Sequence, residues 1–123
     1  EKLDLDSIGI RFEMRPELIG NFTRGNLHGG VISSVLDVTG GMVAWIGIMK
    51  KMDGQSFEEI AERFAKIGTI DLRVDYLRPG LGKYFAATGS TLRTGNKVSV
   101  TRMELHNDKG ILIAVGTGTY VVG

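Results

Sequence analysis

The chain has 123 residues, the size of one domain, and can bury about two-thirds of the surface its unfolded form exposes. Its 15 basic and 14 acidic residues leave a formal charge of +1, so no field favours nucleic acid or anionic lipid. There is no cysteine, which excludes disulfides and thiol chemistry and fits a cytoplasmic setting; two histidines leave no basis for a zinc site. No signal peptide is expected ahead of the first strand, and residues 1–123 read as a single domain.

In chain order, Ile8–Met14 alternates apolar and other residues and predicts a strand that stops before Pro16. Residues 20–27 read as a loop that delivers His28 to a helix. From His28-Gly29-Gly30 the chain stays apolar to Met49, through Ile32, Val35, Leu36, Val38, Met42, Val43, Trp45, Ile46 and Ile48. This pattern leaves no solvent-facing stripe and predicts a helix buried all round. The run is long enough to cross a membrane, but Asp37 at its middle is costly there, so no membrane span is expected. The pairs Gly29-Gly30 and Gly40-Gly41 cost roughly 1 kcal/mol per residue in a helix interior and fit where another backbone or a ligand comes close.

Ser56 with Glu59 makes a capping box, and Phe57, Ile60, Ala61 and Phe64 form one stripe of a second helix that Gly68 would end. Four strands should follow. Ile70, Leu72, Val74 and Tyr76 alternate with charged residues. Lys83–Leu92 and Lys97–Leu105 flank a Thr94-Gly95-Asn96 hairpin turn, and Ile111–Val122 closes the chain. In the last strand Ala114, Gly116 and Gly118 share one face, small enough for a helix to press against. The elements fit an α+β fold in which one long central helix is wrapped by a five- or six-stranded antiparallel sheet, with one extra short helix.

The chemistry concentrates at the start of the long helix. Its first N–H groups have no internal partners and carry partial positive charge, so the Gly29 N–H can polarise a carbonyl, with no Cβ in the way. Asp37 is the one ionisable side chain on the apolar helix and could serve as general base or as nucleophile, or simply be satisfied by backbone donors. Gly29 and Asp37 stand eight residues apart, about 12 Å along one helix, too far to act on one carbonyl from the same chain. Two antiparallel helices at a two-fold axis would bring the Gly29 of one copy beside the Asp37 of the other. Ser33 and Ser34 lack the GxSxG elbow and an attendant histidine.

Gly25-x-x-His28-Gly29-Gly30 followed by Asp37, then Thr69–Pro79 and Arg93–Lys97 in that order, resembles the hotdog-fold acyl-CoA thioesterases. The similarity is to the phenylacetyl-CoA thioesterase-like branch with a catalytic Asp, and it covers most of residues 8–122. It implies hydrolysis of medium- to long-chain acyl-CoA to fatty acid and CoA. It further implies a homodimer with shared sites, with pairing of dimers left open, and no cofactor, since coenzyme A is part of the substrate. Asp37, Gly29, His28 and Thr69 would be catalytic, with His28 either orienting the turn or holding the carbonyl. Arg93, Thr94, Gly95, Asn96 and Lys97 would meet the phosphates of coenzyme A. Tyr76 would pack on the pantetheine arm or in the core. Relatives carry an Asn where this chain has Phe22, so Asn21 or Asn26 would substitute. The second helix is an addition to minimal relatives, and its stripe would extend an acyl slot past Trp45, Met49 and Met52. An acyl-CoA-binding dimer without turnover and an aryl-CoA thioesterase are the alternatives. A hydratase on the same fold would need a further helix His that is absent.

Overall fold

The computed structural model describes residues 2–3, 7–21 and 23–123; side chains are described from Gly9 onward, Phe22 excepted. The expectation that places Phe22 at the family's Asn position therefore lies outside the described residues. The elements run β1 (Lys2–Leu3), β2 (Ser7–Glu13), a 3-10 turn (Pro16–Leu18), β3 (Ile19–Asn21), β4 (Asn26–Leu27), α1 (Gly29–Lys51), α2 (Phe57–Ala65), β5 (Gly68–Tyr76), β6 (Tyr84–Thr94), β7 (Val98–Asn107) and β8 (Leu112–Val121). One antiparallel sheet has the order β1-β2-β6-β7-β8-β5, with α1 laid across one face. This is the expected hotdog arrangement.

The helix can lie close because the middle of β8 beneath it carries only small side chains. Ala114, Gly116 and Gly118 all face inward on β8, and a Cβ at Gly116 would stand 3.4 Å from Leu36. Two apolar clusters follow. The first joins Leu27, Ile32 and Leu36 to Phe85, Met103, Leu105 and Ile113. The second joins Ala44, Ile48 and Met52 to Tyr120 and Val122, with Trp45, Ile60 and Ile67 at its margin.

Several sequence expectations are corrected. Residues 20–27 contain the β3–β4 ribbon, closed through Gly25 at φ 68°, rather than a plain loop. Gly68 opens β5, because α2 already ends at Ala65. The β6–β7 turn sits at Gly95-Asn96-Lys97, one residue later than expected, after a bulge that leaves Leu92 unpaired. Helix α1 is not buried all round: Val38 is 57% exposed, and Met42 and Met49 also face out, since the sheet covers only one side of the helix. The apolar stripe of α2 does not turn inward along its whole length. Met52 is buried in the second cluster, Phe57 is 84% exposed, Ile60 packs at the margin of that cluster, and Phe64 lies edge-on to Trp45 at 4.8 Å. Among the described residues α1 is the helix long and apolar enough to cross a membrane, but here it is the inner helix of a sheet.

The two helix glycines at 40 and 41 differ in what surrounds them. An added methyl at Gly40 collides with the Tyr120 phenol and with Met103, whereas one at Gly41 meets ring carbon at an ordinary 3.7 Å. Gly41→Ala should therefore stabilise the protein by up to about 1 kcal/mol through helix propensity. Gly40→Ala should destabilise it by about 1–3 kcal/mol through overpacking. Denaturant unfolding of the two variants side by side checks the contrast.

Candidate active site

The start of α1 is held from three sides. His28 is its N-cap, with Nδ1 accepting the Gly30 N–H at 2.9 Å. That bond requires Nδ1 to be unprotonated, so the ring proton of the neutral imidazole sits on Nε2. The His28 N–H in turn donates to the Leu18 carbonyl at 2.8 Å. From the far end of β5, the Tyr76 hydroxyl donates to the Gly29 carbonyl at 3.1 Å. Tyr76 is exposed, not in the core, because β5 is the last strand of the sheet and its end overhangs the helix start. These bonds leave the Gly29 N–H without an acceptor among the described residues.

Beside this terminus is a cavity of about 330 Å³ lined by Asn26, Gly29, Ile32, Tyr76 and Pro79. Asn26 Oδ1 is buried there with no partner among the described residues. Asn21 is differently used: its Oδ1 accepts the Thr23 N–H at 3.0 Å inside the β3–β4 turn. Ser33 is committed to the helix, donating to the Gly30 carbonyl.

Two turns further along α1, Asp37 lies at the boundary between the buried side and the open apolar stripe. Thr69 Oγ1 donates to Asp37 Oδ1 at 2.9 Å. This contact depends on a bulge. Leu72 and Val74 turn toward the helix, so strict alternation would aim Thr69 outward. The pairing instead steps from Thr69↔Tyr120 to Asp71↔Thr119, leaving Ile70 as an extra residue and turning Thr69 inward. Its partner across the strands, Tyr120, also reaches Asp37. The phenol donates toward the Asp37 carbonyl oxygen at 3.0 Å and Oδ1 at 3.2 Å. Oδ2 has no partner among the described residues.

Tyr120 carried no signal in the sequence beyond being an aromatic on an apolar strand. Burial holds its phenol well above the usual tyrosine range, and the charge and hydrogen bond of Asp37 push the same way. The hydroxyl thus stays protonated, and a donor, at any ordinary pH. A raised folded value gives stability that is complete below the unfolded phenol's 10.0 and is lost as pH climbs above it. Wild type should lose thermal stability above that pH, and Tyr120→Phe should lose much less; melting curves across the alkaline range measure both.

The hairpin expected to meet coenzyme A lies at the other end of α1. Lys51 Nζ donates to the Thr94 carbonyl at 3.0 Å, and Arg63 from α2 donates to the Asn96 carbonyl at 2.6 Å and to that of Val122. Helix α2 therefore clamps the hairpin tip. Arg93 and Lys97 remain exposed there. Within one copy Thr69 and Asp37 come together, and Tyr76 and Gly29 come together, while the hairpin joins neither pair. Among the described residues no cluster of His, Asp or Glu could hold a metal.

Comparison with known proteins identifies the family. The profile of the thioesterase superfamily matches residues 24–114. The chain is 46% identical over 123 residues to the medium/long-chain acyl-CoA thioesterase YigI of Escherichia coli (strain K12), covering 79% of that protein. A crystal structure of a thioesterase-superfamily protein from Shewanella oneidensis superposes with a TM-score of 0.96 at 53% identity, over all of this chain and 80% of the other. A Bacillus halodurans protein solved with CoA superposes with a TM-score of 0.69 at 27% identity, over 92% of this chain and 65% of the other. The chain belongs to the thioesterase superfamily, hydrolases of thioester bonds.

Proposed function

We propose that this protein hydrolyses medium- to long-chain acyl-CoA to a free fatty acid and CoA, as a homodimer in which each site draws on both copies. The observation that carries the reading is the Asp37 carboxylate, fastened through Oδ1 by Thr69 and Tyr120 with Oδ2 left open. The name of the Escherichia coli relative supports the substrate class. The Bacillus halodurans structure supports binding of CoA on this fold.

In this mechanism the thioester carbonyl lies against the free Gly29 N–H. Oδ2 of Asp37 takes a proton from water, and the water oxygen attacks the carbonyl carbon. The N–H stabilises the oxyanion, which collapses to expel the CoA sulfur; the sulfur recovers the proton. Of the two asparagines that could replace the family's, Asn26 has an unpaired Oδ1 near Gly29, whereas Asn21 is occupied. His28 orients the helix start and can offer Nε2–H to the carbonyl. Arg93 and Lys97 would meet phosphates, with the Gly95–Lys97 backbone held by the clamp of Arg63.

Water on Asp37 cannot reach a carbonyl about 12 Å away along the same helix. A second copy resolves this. The open stripe of Val38, Met42 and Met49 and the unpaired edge of β5, where Ile70 is 51% exposed, supply the surface for one. The acyl chain has a cavity of about 580 Å³ between β2 and α1, lined by Phe12, Leu18, Val31 and Val35 together with exposed Arg11, Glu13 and Arg15.

Asp37→Asn should keep the fold and lower turnover by about a hundredfold or more, the scale of a lost positioned base. Release of CoA from decanoyl-CoA, read with a thiol reagent, measures it. Binding without release in the wild type would instead favour the acyl-CoA-binding alternative. Gly29→Pro removes the N–H at a position where Pro suits a helix start. Mixed with Asp37→Asn and allowed to exchange subunits, it should regain activity, since each mixed dimer holds one intact site. Background activity despite proven exchange would rule out the shared site. Finally, kcat/KM should climb from acetyl- to decanoyl-CoA, as each buried methylene contributes about 0.8 kcal/mol. Val35→Phe should flatten that slope while Phe64→Ala leaves it; the reverse result would place the chain under α2.

A further inference from the structure

We infer that Tyr120 is a positioning residue for the thioesterase reaction, its buried hydroxyl fixing the Asp37 carboxylate so that Oδ2 alone faces the water. The inference rests on Asp37 being the base, and it is carried by how much of the fold is arranged to seat this one phenol.

Tyr120 is 1% exposed, so it cannot touch substrate. Its single proton lies within reach of two acceptors on the same residue, the main-chain oxygen of Asp37 at 3.0 Å and Oδ1 at 3.2 Å. Bridging the two holds the side chain to its own backbone and restricts rotation about both of its torsions. Thr69, the cross-strand neighbour of Tyr120, donates to the same Oδ1 from the other side. Two donors on one oxygen define the plane of the carboxylate.

Space for the phenol has been made by removing side chains around it. A Cβ at Gly118 would stand 2.6 Å from the ring, and one at Gly40 would collide with the hydroxyl. Gly40 is in the middle of a helix, where glycine costs roughly 1 kcal/mol against alanine. A glycine retained there, directly over the phenol oxygen, fits a requirement for the hydroxyl at that spot. A phenylalanine would fill the same apolar cluster equally well and would need no hydrogen-bond partner.

The test compares Tyr120→Phe with wild type, and does so again in the Asp37→Asn background, using decanoyl-CoA and a melting curve for each protein. Tyr120→Phe should fold and keep KM within about twofold, while kcat falls about tenfold, because the base is present but misaligned. In the Asp37→Asn background the same change should cost less than about twofold, since there is no carboxylate left to align. Replacing Tyr120 with 4-aminophenylalanine, which returns a donor to the same ring position, should recover most of kcat. The inference is overturned if kcat of Tyr120→Phe is within about twofold of wild type, or if the loss persists in the Asp37→Asn background. Failure of Tyr120→Phe to fold overturns it too, since the hydroxyl would then serve stability. Should Asp37→Asn alone keep more than roughly a tenth of turnover, the assignment of the base fails first, whatever Tyr120 does.

Discussion

A carboxylate stands on an otherwise apolar helix at the border of its buried side, and two hydroxyls on adjacent strands hold it. Thr69 and Tyr120 face each other across β5 and β8 and converge on one oxygen of Asp37. An ion left unpaired in such a setting would be strongly penalised. Here Oδ1 is satisfied by both hydroxyls, while Oδ2 has no partner among the described residues. The bulge at Ile70 and the glycines at 40 and 118 allow helix and strands to come within reach of Oδ1.

The same closeness sets the second requirement. Helix α1 carries the Gly29 N–H, which has no acceptor among the described residues, and the proposed base Asp37, but at different points along its length. One helix cannot bend two turns to join them. The apolar stripe that the sheet leaves uncovered, and the open edge of β5 beside it, are the surfaces on which a second copy would complete the pair. Catalysis and assembly thus become one problem in the proposed reading: the surface that an isolated chain leaves exposed is the surface that supplies the missing half of its site.

Helix α2 has a mechanical part in this arrangement. It carries no fully buried residue, and it is held to the fold by Ile60 at the margin of the second cluster, by Phe64 against Trp45 and by Arg63. By donating to the carbonyls of Asn96 and Val122, Arg63 ties the β6–β7 turn to the end of β8. A hairpin tip is ordinarily among the most mobile parts of a sheet, and a charge-assisted bond to its backbone restrains it. That restraint matters if the tip binds phosphates.

The order of elements, the buried helix with its lone carboxylate, the His-Gly-Gly start and the small-residue face of β8 were all legible in the amino-acid sequence. Each is a local pattern of period, cap or residue size, and the resemblance to thioesterases rested on the same residues. The capping box of Ser56 and Glu59 formed as read. What the sequence could not decide were matters of pairing between distant segments. That Thr69 turns inward depends on a one-residue bulge whose only trace is a register shift against β8. That Tyr120 meets Asp37 links positions 83 residues apart. That Asn26 rather than Asn21 is left unpaired follows from a turn closed by Asn21 itself. The stripe on α1 looked buried because its composition is that of a core helix; only the sheet, by covering one side, showed which residues remain to be covered by something else. Residue type determined which groups could do chemistry, and the tertiary register decided which of them share an oxygen.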